Sequence, residues 1–510
     1  MSLGVLAGIV LVLGLILGVG LVSGRRVKDS SDYLSGGGKA GSLLVAGAIM
    51  GSLVGSQATM GTAQLSFQYG FSGWWFTLGC CFGCLALGLV YNRKLRQSGC
   101  ITETAILSGE YGAVSGRLSS ILCSVGIFIS VFSQVIACAG LLSTLFPGTP
   151  LWVGALVSAL LMGLYVIFGG AWGAGMGGMV KLLLLCAVSL MGLCLILYWT
   201  HGPRGLWNGL SCLLSGTSLG MIRQMAVGVP NIPDASALKS QFLSLTARGA
   251  AKDLSSGFSL LLGVLCTQTY AQAVWSGKSD RAARNGALIS AVAAPFIGLG
   301  GVAIGFYMRS QYILRAEAEA LKAAGQALPE LPILESTIRA MSTFALDHLP
   351  PLVAGIVLGT LLITAVSGGA GLAFGMATIL TRDILQRISP RYDDPKRELM
   401  AVRVVIGFIL FSAVAVTVAL PDSLINDFGF LSMGLRASVL FLPMTAALWL
   451  PGRVNGRWVL ISMILSPLAV ILAKILSLTG DPLFWGMGAS LLLCAAGYIQ
   501  NTKKSRANGS

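Results

Sequence analysis

Hydrophobic positions in this chain come in long, nearly unbroken runs. Runs long enough to cross a bilayer need about 20 residues. They fall near 2–23, 41–68, 72–92, 118–146, 151–169, 174–199, 256–276, 284–308, 350–381, 401–420, 425–450, 457–477 and 482–499. The pattern predicts an all-α integral membrane protein with about 13 transmembrane helices. No run shows the short alternation of a barrel strand, and the 67 glycines suit helices packed closely in lipid. Two stretches do not read as spans. Residues 200–255 carry Trp207, Pro230, Pro233 and scattered charges. Residues 309–349 include a charged segment from Arg315 to Lys322, with Glu317 and Glu319 at helical spacing, which predicts a short helix outside the membrane. From Asn501 the chain turns polar, and 501–510 is expected to be a disordered tail on the cytoplasmic side.

Two runs are interrupted by polar residues. The middle of 41–68 reads Gly55-Ser56-Gln57-Ala58-Thr59-Met60-Gly61-Thr62, and 256–276 reads Thr267-Gln268-Thr269-Tyr270-Ala271-Gln272. Each opens a block of five runs, 41–199 and 256–450. Interrupted helices at matching positions in two halves point to an inverted-repeat transporter with its substrate held near the breaks. Unwound backbone is tolerated at that depth where it lines a cavity or is covered by protein. The alternative is that these Ser, Thr and Gln side chains simply pack between helices.

Composition agrees. The chain is 55% hydrophobic and 10% charged over 510 residues, against about 25% charged for a soluble protein. The run 2–23 is followed, not preceded, by Arg25, Arg26 and Lys28, so it reads as a first span with an outside N-terminus rather than as a signal peptide. The net charge of +15 could suggest nucleic acid. However, the basic clusters at 25–28, 93–96, 278–284, 382–403, 453–457 and 503–506 alternate with the runs as a positive-inside signal does. That arrangement places the C-terminus inside a cytoplasmic membrane and implies no nucleic-acid partner. Cys81 and Cys84 form a C-x-x-C without a second pair, and the only histidines are His201 and His348. A metal site needs more ligands than these.

Two cations interrupt the apolar runs: Lys181 and Arg436, while all 19 Asp and Glu lie outside the runs or at their ends. A charge at membrane depth costs about 2.5–3.5 kcal/mol on insertion scales and usually faces a cavity or a functional partner. Lys181 lies about two turns from its helix start and could instead snorkel to the surface. Arg436 sits deeper, where it could bond backbone carbonyls at a helix break or clamp a substrate carboxylate through two parallel donors.

Several segments resemble the sodium:solute symporter family, which includes proline, pantothenate, sialic acid and sugar symporters. They are Ser31-Asp32-Tyr33-Leu34 with Gly36, Thr102-Glu103 with Tyr111-Gly112, Lys278-Ser279 with Arg281 to Arg284, and Thr381-Arg382-Asp383. The likeness runs from about residue 30 to 450. It implies the leucine-transporter fold, with two five-helix inverted repeats and broken first and sixth core helices. It also implies a sodium site formed by the Gly51 and Val54 carbonyls and the Thr364 and Ser367 hydroxyls. The chain departs from the family's pattern at three places. Gly368 stands where a second hydroxyl is expected, Gly177-Gly178 replace a Thr-Asp pair, and Lys181 replaces a Gln. A fixed ammonium repels a cation that needs oxygen ligands. Sodium coupling is therefore expected to be weak or absent if Lys181 points inward, and sodium is the one cofactor considered.

The expected protein is a secondary transporter working by alternating access, and not an enzyme. Its substrate would be a small organic anion or zwitterion. Ser56, Gln57, Thr59, Gln134, Thr267, Gln268 and Tyr270 would hydrogen-bond it, and Arg436 would supply charge. Organisation is expected as an extra helix and basic loop (1–30), a ten-helix core (31–450) and two further helices (451–500). The partners are the substrate and the lipid bilayer, with no obligate protein partner evident. Rival readings are a sodium-independent or proton-coupled uniporter or exchanger of the same fold, and a membrane sensor that does not transport.

Overall fold

The computed structural model describes residues 2–24, 38–146, 148–214, 240–323, 325, 328, 330–419, 425–476, 478 and 482–507. The Ser31–Leu34 segment and Pro230 and Pro233 lie outside them. Helix α1 (Leu3–Gly24) is followed by a broken pair, α2 (Ser42–Leu53) and α3 (Thr62–Tyr69), joined through a π-helical turn at Gln57–Gly61. Next come α4 (Trp75–Ala86, continued to Gln97 through a π turn), the short α5 (Glu103–Tyr111), α6 (Ala113–Leu145), α7 (Leu151–Trp199) and α8 (Pro203–Leu214). A second broken pair follows, α9 (Ala250–Leu265) and α10 (Gln268–Ser276). The rest are α11 (Asp280–Gln311), α12 (Arg315–Ala323), α13 (Ala340–His348), α14 (Pro351–Ile379), α15 (Pro395–Ala419), α16 (Ile425–Trp449), α17 (Gly456–Ile475) and α18 (Pro482–Ala507). A two-residue parallel pair, β1 (Ile313–Leu314) and β2 (Ile333–Leu334), flanks α12. The expected short helix at 315–322 is therefore present as α12.

Among the described residues, nine helical stretches are long and apolar enough to cross a membrane, and Leu3–Ile16, Ser42–Leu53 and Leu151–Val166 are shorter apolar helices. The expected count of about 13 treats each broken helix as one run, whereas the breaks divide those runs into shorter pieces. The expected runs 151–169 and 174–199 form one helical element, α7. It is not straight. The Tyr165 hydroxyl lies against Gly177, twelve residues on, although twelve residues of straight helix span about 18 Å. The two arms therefore fold against each other. The last helix runs through Ala507, past the boundary at 501 expected for a disordered tail. Between Gly497 and Gly509 the chain has no Gly or Pro to end it sooner.

Glycine contacts set the helix spacing. A Cβ on Gly47 would meet the Gly175 carbonyl and the Met179 amide, and one on Gly178 would meet the Gly47 carbonyl and Gly51 Cα. Helix α2 and the second arm of α7 thus touch backbone to backbone, as small residues permit in lipid. Gly8 of α1 meets α14 at Gly355 in the same way. The centre of the molecule is α14, whose apolar window is 83% buried.

Candidate substrate and cation site

The first break opens at Val54 and Gly55, where Val54 leaves the helical region (φ −88°, ψ 77°). Its freed groups are taken up by α6. The Gln134 side-chain oxygen accepts from the Ser56 amide at 2.8 Å and from the Ser56 hydroxyl at 2.7 Å. Gly55 has no room for a Cβ beside Gln134. Gln57 donates to the Ser133 hydroxyl at 2.6 Å. Thr59 turns back onto the Gly55 and Ser56 carbonyls.

The second break has neither Gly nor Pro. Cys266 leaves the helix (φ −116°, ψ 30°), and Thr267 is extended (φ −121°, ψ 111°). Side chains hold it open. The Thr267 hydroxyl bonds back to Gly263 and accepts from Arg436 Nη1 at 2.6 Å. Arg436 is fully buried. Its Nε donates to the Ser432 carbonyl at 3.1 Å, and its Nη2 donates to the Ser432 hydroxyl at 2.9 Å and the Ser130 hydroxyl at 3.3 Å. Gly126 leaves space for its stem. Ser130, Ser133 and Gln134, all on one face of α6, therefore fasten both breaks. Sequence reasoning missed Ser130, Ser133 and Ser432. The signal was their helical spacing to Gln134 and Arg436.

Lys181 is buried, with 1% of its surface exposed. Its Nζ donates to the Gly51 carbonyl at 2.6 Å and to the Ser367 hydroxyl at 3.0 Å. The Ser367 hydroxyl lies 3.5 Å from the same carbonyl. The snorkelling alternative for Lys181 is thus excluded. The ammonium lies between two of the four oxygens expected to ligate sodium. Thr364, the third, donates its hydroxyl to Thr360 in its own helix at 2.6 Å. The carbonyl of Val54, the fourth, belongs to the break itself. Gly178 brings this about. The close approach it permits sets Lys181, one turn on, beside the Gly51 carbonyl. Gly368 faces Gly55 and Gln134, so the space next to Ser367 is taken by Gln134.

Gln268 turns away from the first break. Its oxygen accepts from the Glu103 amide at 3.0 Å and its nitrogen donates to the Ile101 carbonyl at 2.8 Å. Tyr270, two residues along, is buried. Nearby, the Asp383 carboxylate accepts from Thr102 at 3.1 Å, from Thr104 and from Ser120 at 3.2 Å. Two of the segments singled out in the sequence, around 102 and 383, therefore meet. Burial by these folds also places carboxylates in the interior that lie outside the apolar runs. Glu103 is 1% exposed and lies within electrostatic range of Arg436. Lys181 has no carboxylate among its hydrogen-bond partners. In the first turn of α3, Gln64 donates to Thr337 at 3.2 Å and accepts from the Ile425 amide at 3.3 Å. Beside it, Asn426 is fully buried against Gly61 with no hydrogen-bond partner for either side-chain atom.

This arrangement has no nucleophile or acid–base pair positioned to react. It consists of two broken helices, oxygens and fixed cations. The model of the sodium:solute symporter family matches residues 33–466. The chain belongs to the sodium:solute symporter family. It is a multi-pass membrane transporter and not an enzyme. The symporter fold extends over the whole chain. A solved Na+-coupled sialic acid symporter, in a substrate-bound outward-open state, superposes with TM-score 0.71 at 17% identity, covering 98% of both chains. Mhp1, a nucleobase-cation-symport-1 family transporter in a closed conformation, gives 0.54 at 13% identity over 94% of this chain and 96% of that one. A manganese transporter of Eremococcus coleocola gives 0.53 at 12% over 92% and 95%. These likenesses identify the leucine-transporter fold. The two five-helix blocks are inverted repeats, and the broken pairs α2–α3 and α9–α10 are the first and sixth core helices. The curated relative YwcA of Bacillus subtilis (strain 168), an uncharacterized symporter, is 24% identical over 180 residues, 35% of each chain. The match thus spans about a third of that relative's length.

Proposed function

We propose that this symporter-family protein moves a small organic anion or zwitterion by alternating access without drawing on a sodium gradient. The observation that carries this reading is the Lys181 ammonium, bonded at 2.6 Å to Gly51 and at 3.0 Å to Ser367. It holds a positive group where the family's sodium would lie and satisfies the same oxygens. The substrate is held between the breaks. Ser56, Gln57, Thr59, Thr267 and Tyr270 line its position, and Gln134 and Arg436 hold the breaks in shape. Gln268 serves the contact with residues 101–103 instead. The transporter core spans 31–450, with α1 and the α17–α18 pair outside it, the N-terminus outside and the C-terminus cytoplasmic.

The coupling partner that fits best is the proton. Lys181 makes two hydrogen bonds as donor, and a neutral amine still has two N–H groups. Loss of a proton would keep both bonds while removing the charge from the site. The test is uptake of organic acids and amino acids into proteoliposomes under an imposed sodium gradient, then a proton gradient. Accumulation with potassium replacing sodium, and stimulation by the proton gradient, is the expected result. Accumulation driven by sodium alone would restore the ordinary family mechanism.

A further inference from the structure

Packing alone gives the buried amide of Asn426 nothing to do. The side chain is 0% exposed, and neither Oδ1 nor Nδ2 has a hydrogen-bond partner. Among the described residues, no other amide side chain is buried with both polar atoms unpaired. Such a group costs stability, and one retained in a folded protein calls for a role.

Its place in the fold points to that role. Asn426 lies in the first turn of α16 and presses against Gly61, where a Cβ would collide with Oδ1. Gly61 ends the π-helical turn that follows the first break. One turn along α16, a Cβ on Gly429 would stand 2.9 Å from Gln57 Nε2. The two glycines therefore bring this face of α16 onto the first break. The other polar groups there are committed. Gln57 donates to Ser133, and Ser56 is held by Gln134. Further along α16, Arg436 spends its donors on Thr267, Ser130 and Ser432. Asn426 has all of its hydrogen bonds still to make.

We infer that Asn426 recognises the substrate, and that the substrate is a small acid with a hydrogen-bond donor beside its carboxylate, an α-amino or α-hydroxy acid. This narrows the anion or zwitterion proposed above to lie between the breaks, and rests on that reading. Alternating access opens the region of the breaks to one side at a time, so a side chain buried in this form comes within a substrate's reach. An amide sets an acceptor and a donor side by side. The carboxylate accepts from Nδ2, and the neighbouring ammonium or hydroxyl donates to Oδ1. A plain monocarboxylate fills the Nδ2 side only and sets its charge against the Oδ1 lone pairs. An amine without a carboxylate leaves Nδ2 unpaired. A site built to hydrogen-bond a substrate group strongly rejects the analogue that lacks it.

The experiment uses the full chain in detergent, in potassium without sodium. Thermal unfolding is followed with matched sets of compounds that differ only at the α carbon: alanine, lactate and propionate; leucine, leucic acid and isocaproate; phenylalanine, phenyllactate and phenylpropionate. Binding to the folded state raises the midpoint. In at least one set the amino or hydroxy acid should raise it by a few degrees in the wild type, and the plain acid should not. Which of the two acts identifies the donor. Asn426→Leu and Asn426→Ala should lose that difference. Either variant, if it folds and keeps the wild-type preference, would overturn the role of Asn426. Plain acids as effective as their substituted partners would overturn the substrate class. Both results leave the broader reading standing, because an acid would still bind without sodium. No shift from any compound in the wild type would overturn the inference and that reading together.

Discussion

The Nζ of Lys181 lies 2.6 Å from the carbonyl oxygen of Gly51, one of the four oxygens expected to ligate sodium. Lys181→Ala should therefore give the protein a sodium response that the wild type lacks. A unit charge within about 6 Å at an effective dielectric near 20 costs a bound cation roughly 3 kcal/mol, or about a hundredfold in affinity. Removing it frees the Gly51 carbonyl and the Ser367 hydroxyl. Unfolding midpoints measured in sodium and in potassium should coincide for the wild type and separate for Lys181→Ala. A sodium-specific shift in the wild type would contradict the assignment.

Gly178 tests how the ammonium is delivered. Its hypothetical Cβ points at the Gly47 carbonyl and lies 2.9 Å from Gly51 Cα, backbone atoms that cannot rotate aside. Gly178→Ala should cost about 1–3 kcal/mol by overpacking. Gly178→Asp, which restores the family's residue type, should cost more, because its charge must also be buried. Both are read as lowered unfolding temperature and lower yield of folded protein. If Gly178→Asp matched wild type in stability, the contact between α2 and α7 would be looser than described.

The breaks were legible in the sequence because a cluster of polar residues interrupting an apolar helix leaves backbone and side-chain groups that lipid cannot satisfy, and such clusters occur at Ser56 and Thr267. What holds the breaks was not legible. Ser130 and Ser133 look like ordinary small residues of a packed helix until the fold sets one beside Arg436 and the other beside Gln57. The direction of Lys181 was also open, because snorkelling depends on how far neighbouring backbones approach. Here Gly47 and Gly178 let them touch. Gln268 was misplaced for a related reason. A polar residue at a break can face the cavity or the adjoining loop, and Gln268 meets the backbone of Ile101 and Glu103.

Arg436 and Gln134 should behave as parts of the scaffold. Gln134→Leu leaves the Ser56 amide and hydroxyl without an acceptor, at about 1–3 kcal/mol for each buried group. Arg436→Lys keeps the charge but loses the fork that reaches Thr267, Ser130 and Ser432 together. Both variants should unfold at lower temperature without substrate. A direct clamp predicts a different pattern for Arg436→Lys: unchanged stability with a raised KM. Thermal unfolding without ligand, followed by uptake kinetics, separates the two roles.

Asn426 should cost stability beside the π turn that precedes α3. Its amide is fully buried beside Gly61 with neither atom hydrogen-bonded, which costs about 1–3 kcal/mol. Asn426→Leu removes it at similar volume. A higher unfolding temperature is expected. A variant less stable than wild type would show that Asn426 is satisfied in the folded protein.

The pH dependence of stability should carry a contribution from His348, which ends α13 outside the spans. Its ring is packed against Tyr307 at 5.1 Å, Phe344 at 5.8 Å, Tyr312 at 6.1 Å and Trp199 at 6.2 Å. Nδ1 faces the Tyr307 hydroxyl at 3.5 Å, and Nε2 has no hydrogen-bond partner. Burial among these rings lowers its pKa below the usual value, and the Asp347 charge offsets only part of that. Asp347 is itself engaged by the Tyr312 hydroxyl at 2.6 Å. The folded protein therefore resists protonating His348, whereas the unfolded chain takes up a proton near about pH 6.5. Above that value both states hold a neutral ring and the residue contributes no pH dependence. Below it the unfolded state binds more protons, so stability falls as pH falls until the folded pKa is passed. Unfolding midpoints measured between about pH 5.5 and 7.5 should decline toward acid in the wild type. They should decline less in His348→Phe, which keeps an aromatic ring in the cluster. An identical slope in both proteins would place the titrating group elsewhere.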